Sequence, residues 1–189
     1  MTDNLAALFG PIRQIAYVVD DLDATIHAWR AQMGVVPFLV IRHCHPFGER
    51  TAYRGAPCDH IDMSIALSMI GDVQLELIQQ HCDTPFIYRE ARMRQVASVH
   101  HYAFYTSDFP ALYRHALAAG MEPVVTSGPP EAISFAYVQS RTLPHLICEL
   151  VQCNAMTEGM FDRVAAWCRS WDGGQWLREV DLGFLMGHA

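Results

Sequence analysis

The sequence predicts an α+β fold: two β-α-β-β-β modules followed by a C-terminal helix. The first observation is an internal repeat. A run that starts at Gln14 (Gln-Ile-Ala-Tyr-Val-Val-Asp-Asp) and one that starts at His101 (His-Tyr-Ala-Phe-Tyr-Thr-Ser-Asp) each lead into a helical stretch that ends at a glycine. The second observation is that each half closes on a similar strand, with Glu76 and Glu149 at matching positions. The repeat predicts two copies of one unit.

The first module is predicted over residues 11–80. Residues 12–19 are rich in β-branched and aromatic side chains, and Asp20-Asp21 supplies an N-cap for a helix that Gly34 ends. A strand is predicted from Val35, and a turn at Gly71-Asp72 joins the last two strands. The remaining predicted elements are a strand over 35–41, a long loop or irregular strand over 42–60, a strand over 62–70 and a strand over 73–79.

The second module is predicted over residues 98–153, after a helical linker over 81–97 that has Pro85 in its first turn. Its predicted elements are a strand over 99–106, a helix over 110–119 with Gly120 as its stop, and strands over 122–126, 132–139 and 146–152. The last segment, 154–189, contains an amphipathic helix over 158–169, where Phe161, Val164 and Trp167 share one face. The tail beyond that helix carries no prediction.

Composition excludes several classes of function. With 51% hydrophobic and 17% charged residues, the chain has ample material for a core. A formal net charge of −7 and the absence of basic runs argue against nucleic-acid and membrane partners. The thirteen basic residues are all arginines, which excludes a Schiff-base lysine. The six cysteines lack disulfide or C-x-x-C spacing and no signal peptide is visible, so we expect a cytoplasmic protein with reduced thiols.

Glu76 and Glu149 are the polar residues that need explaining. Side chains alternate along a strand, so Glu76 points away from Leu75 and Leu77, and Glu149 points away from Leu150. A carboxylate among Ile and Val side chains is costly unless it is paired or binds a metal. The sequence therefore predicts that both glutamates lie on the face opposite the leucine-packed one and that a partner or a metal offsets their charge.

Gln14 and His101 open the matching first strands. If pseudo-symmetry relates the halves, an amide oxygen, an imidazole and two carboxylates converge in the shared cleft. That donor set suits one divalent ion, and it does not distinguish among Zn, Ni, Co, Mn and Fe.

Four short motifs carry a resemblance to a known family: the run from His100 (His-His-Tyr-Ala-Phe), the run from Asp20 (Asp-Asp-Leu-Asp), Glu76-Leu-Ile-Gln and Glu149-Leu-Val-Gln. In order and spacing the chain resembles the vicinal oxygen chelate superfamily over roughly residues 11–153. That group contains glyoxalase I, methylmalonyl-CoA epimerase, extradiol dioxygenases and bleomycin-binding proteins. The resemblance implies that the two modules form a curved mixed sheet around a cleft. It also implies four metal ligands, Gln14, Glu76, His101 and Glu149, and favours a homodimer.

The resemblance also implies a reaction class. We expect a glyoxalase-like or epimerase-like lyase or isomerase that moves a proton next to a carbonyl through a metal-stabilised enolate or enediolate, with Glu149 or Glu76 as the base. Val18, Gln80 and Ala97 replace the glutathione-binding residues of glyoxalase I, so a glutathione-linked small-molecule substrate is not expected. A non-catalytic small-molecule binding or resistance protein and an Fe(II) dioxygenase stay open as alternatives.

Candidate substrate contacts are residues that offer a cation, a phenol or an imidazole to the small molecule. They are Arg54, Tyr88, Arg89, Tyr137, Arg141 and His145.

Overall fold

One mixed sheet of eleven strands runs through the part of the chain that the structure describes. The computed structural model describes residues 9–58, 60–93, 98–128 and 134–187. The strands are β1 (Gln14–Val18), β2 (Phe38–Cys44), β3 (Ala52–Tyr53), β4 (Ala56–Pro57), β5 (Met63–Ile70), β6 (Val73–Gln80), β7 (His101–Thr106), β8 (Met121–Thr126), β9 (Phe135–Ser140), β10 (Ile147–Gln152) and β11 (Leu177–Glu179). The helices are α1 (Leu22–Met33), α2 (Ile87–Met93), α3 (Phe109–Ala118), α4 (Ala155–Arg169) and α5 (Leu182–Met186).

The sheet has the order β11-β2-β5-β6-β1-β7-β10-β9-β8-β3-β4. β1 pairs in parallel with β6, β7 pairs in parallel with β10, and β1 and β7 pair antiparallel where the two halves meet. The two halves thus contribute equivalent strands on either side of a central β1–β7 seam. The predicted fold class, a curved mixed α+β sheet with a C-terminal helix, is confirmed.

Helix α1 begins and ends where its capping residues predict. The Asp21 side chain accepts a hydrogen bond from the backbone N–H of Ala24, and Gly34 adopts a left-handed conformation with φ of 66°. The following strand starts at Phe38 instead of the predicted Val35. Pro37 has no N–H to donate to a ladder, and the N–H of Phe38 donates to the carbonyl of Trp176.

Helices α1 and α3 cover the same face of the sheet in the two halves. Leu22 and Ile26 of α1 pack with Leu75 and Leu77 of β6. In the second half, side chains of α3 pack with Cys148 and Leu150 of β10. These are the residues whose alternation predicted a leucine-packed face, so the opposite, concave face is the one that carries both glutamates.

The concave face is covered by segments outside the repeat. Ile78 and Ile147 lie on it in one large cluster with Tyr88 of α2, Val164 of α4 and Leu185 of α5. Helix α4 begins at Ala155, three residues before the predicted start, because the side chain of Asn154 caps it. Among the helices of the described residues, none combines the length and hydropathy needed to span a bilayer.

Two features of the fold carried no prediction. Within the predicted 42–60 loop, β3 and β4 form a hairpin, and β3 adds to the edge of the second half by pairing with β8. In the tail, β11 pairs in parallel with β2. Ala97 and the predicted start of a strand at Ala132 lie outside the described residues.

Candidate functional site

Strand register places the first pair of predicted ligands in one row across the sheet. Glu76 of β6 is opposite Ala16 of β1, and Ala16 is opposite His101 of β7. Residues directly opposite each other in a sheet point to the same face. Glu76 and His101 therefore stand on the concave face with only the methyl group of Ala16 between them.

The second pair occupies the adjacent row. Gln14 of β1 is opposite Ala103 of β7, and Ala103 is opposite Glu149 of β10. Again an alanine separates the two longer side chains, and Ala103 is fully buried. The four predicted ligands thus form two neighbouring rows on one face, related by the pseudo-symmetry that the repeat implies.

His101 lies at the centre of this arrangement. Its Nε2 atom is 3.2 Å from a carboxylate oxygen of Glu149 and 3.5 Å from one of Glu76. Nevertheless this buried nitrogen has no hydrogen-bond partner among the residues that the structure describes. Burial lowers the pKa of His101 to about 3, so the imidazole is neutral. The structure therefore directs a neutral ring, and not an imidazolium, at two carboxyl groups.

His100 orients this ring. The Nδ1 atoms of His100 and His101 are 2.9 Å apart and share a hydrogen bond in which one donates and the other accepts. When the Nδ1–H of His101 is the donor, its Nε2 carries a lone pair that faces Glu76 and Glu149. This is the tautomer in which His101 can bind a metal.

Both glutamates are withdrawn from solvent. Their side chains are only 13% exposed for Glu76 and 14% exposed for Glu149. Burial raises the pKa of Glu149 to about 8, and burial together with the charge of Glu149 raises the pKa of Glu76 well above its ordinary value. Two buried acids beside a neutral imidazole hold protons, or their charge is offset by a bound cation.

Two pairs of donor atoms, His101 with Glu149 and His101 with Glu76, have the spacing of ligands that share an ion. Ligands about 2.0 to 2.2 Å from one metal ion lie ~2.8 to 3.6 Å from one another, and both distances from the His101 Nε2 atom fall in that range. Among the described residues no three His, Cys, Asp or Glu side chains are already closed around a metal position. The orphaned Nε2 atom of the neutral His101, the two acids and the amide of Gln14 fit a divalent cation in donor chemistry, although the described side chains do not form a closed cage.

Gln14 is held by a residue that sequence reasoning did not single out. The Nε2 atom of Gln14 donates to the Oε1 atom of Gln74 at 2.6 Å, and both side chains are buried. Gln74 lies two residues before Glu76 on the same face of β6. The alternation of side chains along the strand could therefore have predicted that it lies beside the site. The pair fixes the Gln14 amide at the edge of the site.

A cavity of about 320 Å³ opens over these side chains. Its volume is at the small end of the range of about 300 to 1,000 Å³ typical of ligand pockets. Gln14, Glu76 and Glu149 line it, and helices α4 and α5 close one side. The apolar and aromatic lining residues are Ile41, Pro46, Phe47, Met63, Ile65, Leu67, Tyr88, Tyr105, Phe135, Tyr137, Met160, Phe161, Leu182 and Leu185.

Tyr88 and Tyr137 are the predicted substrate contacts that the structure brings to the cavity. Their hydroxyl oxygens are 2.7 Å apart in a buried hydrogen bond. Tyr137 is the cross-strand neighbour of Glu149, and its ring centroid lies 4.9 Å from that of His101. Burial raises the pKa of each phenol, so both remain protonated.

The other predicted substrate contacts lie outside the cavity lining. The Arg54 guanidinium is engaged with Glu90 at 2.8 Å, and the nearest carboxylate to Arg141 is that of Glu122 at 3.7 Å. His145 is exposed in the turn before β10, and Arg89 forms an ion pair with Asp83. None of these four side chains is directed at the reacting end of the site.

Comparison with known proteins places the chain in a family. A profile of the glyoxalase/bleomycin resistance protein/dioxygenase superfamily matches residues 13–137, a range that contains Gln14, Glu76 and His101 and ends before Glu149. Among curated proteins, no sequence matches the chain.

Solved structures with the same fold include two epimerases. Methylmalonyl-CoA epimerase from Mycobacterium tuberculosis is 14% identical, with a TM-score of 0.51 over 80% of this chain and 93% of that one. A serine-to-threonine variant of the Streptomyces coelicolor methylmalonyl-CoA epimerase, in complex with 2-nitronate-propionyl-CoA, is 19% identical, with a TM-score of 0.50 over 77% and 95%.

A mutant of 4-hydroxymandelate synthase from Streptomyces coelicolor is also similar. It is 18% identical, with a TM-score of 0.52 over 75% of this chain and 38% of that one. At these identities the likenesses establish the fold. Together with the profile match they confirm the predicted resemblance: the chain belongs to the glyoxalase/bleomycin resistance protein/dioxygenase superfamily, the vicinal oxygen chelate group.

Proposed function

We propose that this protein is a metal-dependent lyase or isomerase that moves a proton next to a carbonyl group of a small molecule, by way of an enolate or enediolate. One observation carries the proposal: the unpartnered Nε2 atom of the neutral His101 faces Glu149 at 3.2 Å and Glu76 at 3.5 Å. This group lies beneath a mainly apolar cavity. Perturbed acids that converge in a cavity are typical of acid–base chemistry.

The residues proposed to hold the divalent ion are Gln14, Glu76, His101 and Glu149. When bound, the ion supplies electrophilic stabilisation of the negative charge that develops on the substrate oxygen. The choice among Zn, Ni, Co, Mn and Fe stays open, because one nitrogen and three oxygen donors suit several of them.

Glu149 is the proposed base. Its carboxylate lies among apolar side chains that exclude water, and in the chain without a metal this burial raises its pKa to about 8. A carboxylate that leaves the ion when substrate binds is, in such surroundings, a better proton acceptor than an exposed carboxylate. It takes the proton from the carbon next to the carbonyl and returns it to the same or a neighbouring carbon. Glu76, whose pKa is also raised, is positioned on the other side of His101 and is the alternative donor for the returning proton.

His100 and Gln74 have supporting roles in this proposal. His100 holds the tautomer of His101, and Gln74 holds the amide of Gln14. Substitution of a residue that hydrogen-bonds to a metal ligand typically lowers metal affinity by about 10- to 100-fold. The expected homodimer and cytoplasmic location are part of the proposal, and sedimentation velocity tests the former.

Elemental analysis of protein purified without chelators tests the proposal. We expect about one divalent ion per chain in the wild-type protein, and a large loss in His101→Ala and Glu149→Ala with an unchanged circular dichroism spectrum. His145→Ala, a change at an exposed imidazole, is the matched control and should retain the ion. Wild-type protein without stoichiometric metal would favour a non-catalytic binding protein instead.

A further inference from the structure

We propose that the cavity takes an uncharged carbonyl compound with an apolar body, and that the paired hydroxyls of Tyr88 and Tyr137 hold one of its oxygens. The inference rests on the proposed function for the position of the reacting carbonyl and for the divalent ion that balances the charges of Glu76 and Glu149. It names a substrate class and two binding residues.

The charges around the cavity argue against an anionic substrate. Among the described residues that line it, Glu76 and Glu149 are acidic and none is Arg, Lys or His. A divalent ion offsets these two carboxylates and leaves no surplus positive charge. A carboxylate or phosphate on the enclosed part of the substrate would then be desolvated without a counter-charge, which is strongly unfavourable.

Arg13 carries a guanidinium that lies behind the cavity lining, and this group is already engaged. Arg13 is 3.2 Å from a carboxylate oxygen of Glu158, and its guanidinium carbon lies 4.1 Å from the ring centroid of Phe161. Phe161 and Tyr105, which lies 5.4 Å from the same guanidinium carbon, stand on the cavity side of this cation. Arg13 therefore holds helix α4 in place and is screened from a ligand.

The tyrosine pair provides a hydrogen-bond donor at the right place. Two phenols carry two protons, and one of them closes the 2.7 Å bond between Tyr88 and Tyr137. Among the described residues neither hydroxyl forms another hydrogen bond, which leaves one proton to donate to a ligand. Tyr137 neighbours Glu149 across β9 and β10, so this donor stands beside the reacting end of the cavity.

The side chains that line the cavity indicate the chemistry of the rest of the ligand. Phe47, Phe135, Met160 and Phe161 surround the space above the acids. Aromatic rings and a thioether favour an aromatic or aliphatic body and offer few hydrogen bonds to a highly polar one. An uncharged ketone or aldehyde with such a body satisfies the walls, the donor and the charge balance together.

Titration calorimetry with two isosteric ketones tests the charge preference. 4-Acetylbenzamide and 4-acetylbenzoate have the same shape and the same acetyl group, and they differ in charge at the far end. We expect the metal-loaded wild-type protein to bind the amide at least tenfold more tightly than the carboxylate. Equal or tighter binding of the carboxylate, or no detectable binding of the amide at millimolar concentration, would overturn the proposed class.

The Tyr88→Phe/Tyr137→Phe double variant tests the hydroxyl pair. Its affinity for 4-acetylbenzamide should fall roughly tenfold, the usual effect of losing one well-placed hydrogen bond, while metal content stays unchanged. Tyr113→Phe, on the face of α3 away from the cavity, is the matched control. Unaltered affinity in the double variant would remove the tyrosines from the binding site.

Failure of this inference and failure of the proposed function give different results. The titrations of the wild-type protein with 4-acetylbenzamide and with 4-acetylbenzoate are repeated after metal removal. If the protein holds no metal but still prefers the amide, the proposed function fails and the substrate class stands. If it holds metal but shows no preference for the amide, the substrate class fails and the metal site stands.

Discussion

His101 lies directly across the β1–β7 seam from Ala16, whose side chain is fully buried. The small side chain of Ala16 leaves open the space between the imidazole and the Glu76 carboxylate on the next strand. Ala103 does the same between Gln14 and Glu149. The alanines are thus as much a part of the site as the polar residues, because a larger side chain in either row would fill the position proposed for the metal.

Ala16→Leu should abolish metal binding while the protein remains folded. The added isobutyl group would extend from the concave face between Glu76 and His101, where the ion is proposed to lie. Overpacking of this kind costs about 1 to 3 kcal/mol of stability, so metal content, measured by elemental analysis, is the informative readout. Ala66→Leu adds the same volume at a fully buried alanine in the cluster beneath α1, and it should lower stability without loss of metal. Stoichiometric metal in Ala16→Leu would show that the ion, if any, lies elsewhere.

The repeat made this part of the structure predictable. Strand alternation and the equivalence of the two halves were enough to direct Glu76 and Glu149 to one face and to bring Gln14 and His101 to the seam. The two alanines belong to the same repeat, in Gln-Ile-Ala and His-Tyr-Ala. Their role, which is to leave space between two longer side chains, could not be predicted, because it depends on which residues lie opposite each other in the sheet.

Segments outside the repeat could not be predicted in the same way. Phe47 and Phe161 reach the cavity from a long loop and from α4, and their positions depend on how those segments cross the concave face. The predictions for Arg54, Arg141 and His145 relied on residue type alone. Each has a local interaction or an exposed position that only tertiary structure determines.

His100→Phe should weaken metal binding without removing a proposed ligand. The phenyl ring keeps the edge contacts that His100 makes with Tyr88 and Tyr137, but it cannot exchange a hydrogen bond with the Nδ1 atom of His101. The imidazole then loses the partner that sets its tautomer, and we expect an affinity loss of about 10- to 100-fold. Competition with a calibrated chelator measures the change, and His145→Phe is the control. An unchanged affinity would mean that His101 is oriented by its packing alone.

Glu149→Gln should separate metal binding from proton transfer. The amide preserves the shape of the side chain and one oxygen donor, but it cannot accept the substrate proton. Loss of a general base typically costs about 10²- to 10⁴-fold in rate, whereas metal content should fall much less than in Glu149→Ala. The readout is proton NMR of deuterium exchange into the acetyl group of 4-acetylbenzamide. Glu122→Gln, at an exposed carboxylate of β8, should exchange at the wild-type rate; equal rates in both variants would assign the base to another group.

The metal-free protein should become less stable, relative to Glu149→Gln, as the pH rises. The pKa of Glu149 is about 8 in the folded chain and near 4.5 when the chain is unfolded, so between these values the folded state binds more protons. Stability therefore falls as pH increases through this interval, by on the order of 2–4 kcal/mol. Urea unfolding with a chelator at pH 5, 7 and 9 measures the difference between wild type and Glu149→Gln. A difference that does not change with pH would show that the carboxyl is not desolvated.

Val164→Ala should open the cavity as well as destabilise the fold. Val164 is fully buried where α4 crosses the concave face, in the same cluster as Ile65 and Leu185. Removing its two methyl groups leaves a gap and should cost about 1 to 3 kcal/mol. Because α4 supplies Met160 and Phe161 to the cavity wall, looser packing of this helix should also raise the dissociation constant of 4-acetylbenzamide several-fold while the metal is retained.

Met156→Ala, at a half-exposed position on the same helix, is the matched control and should change neither the stability nor the dissociation constant. If Val164→Ala lowers stability with no effect on ligand binding, helix α4 supports the fold without shaping the cavity.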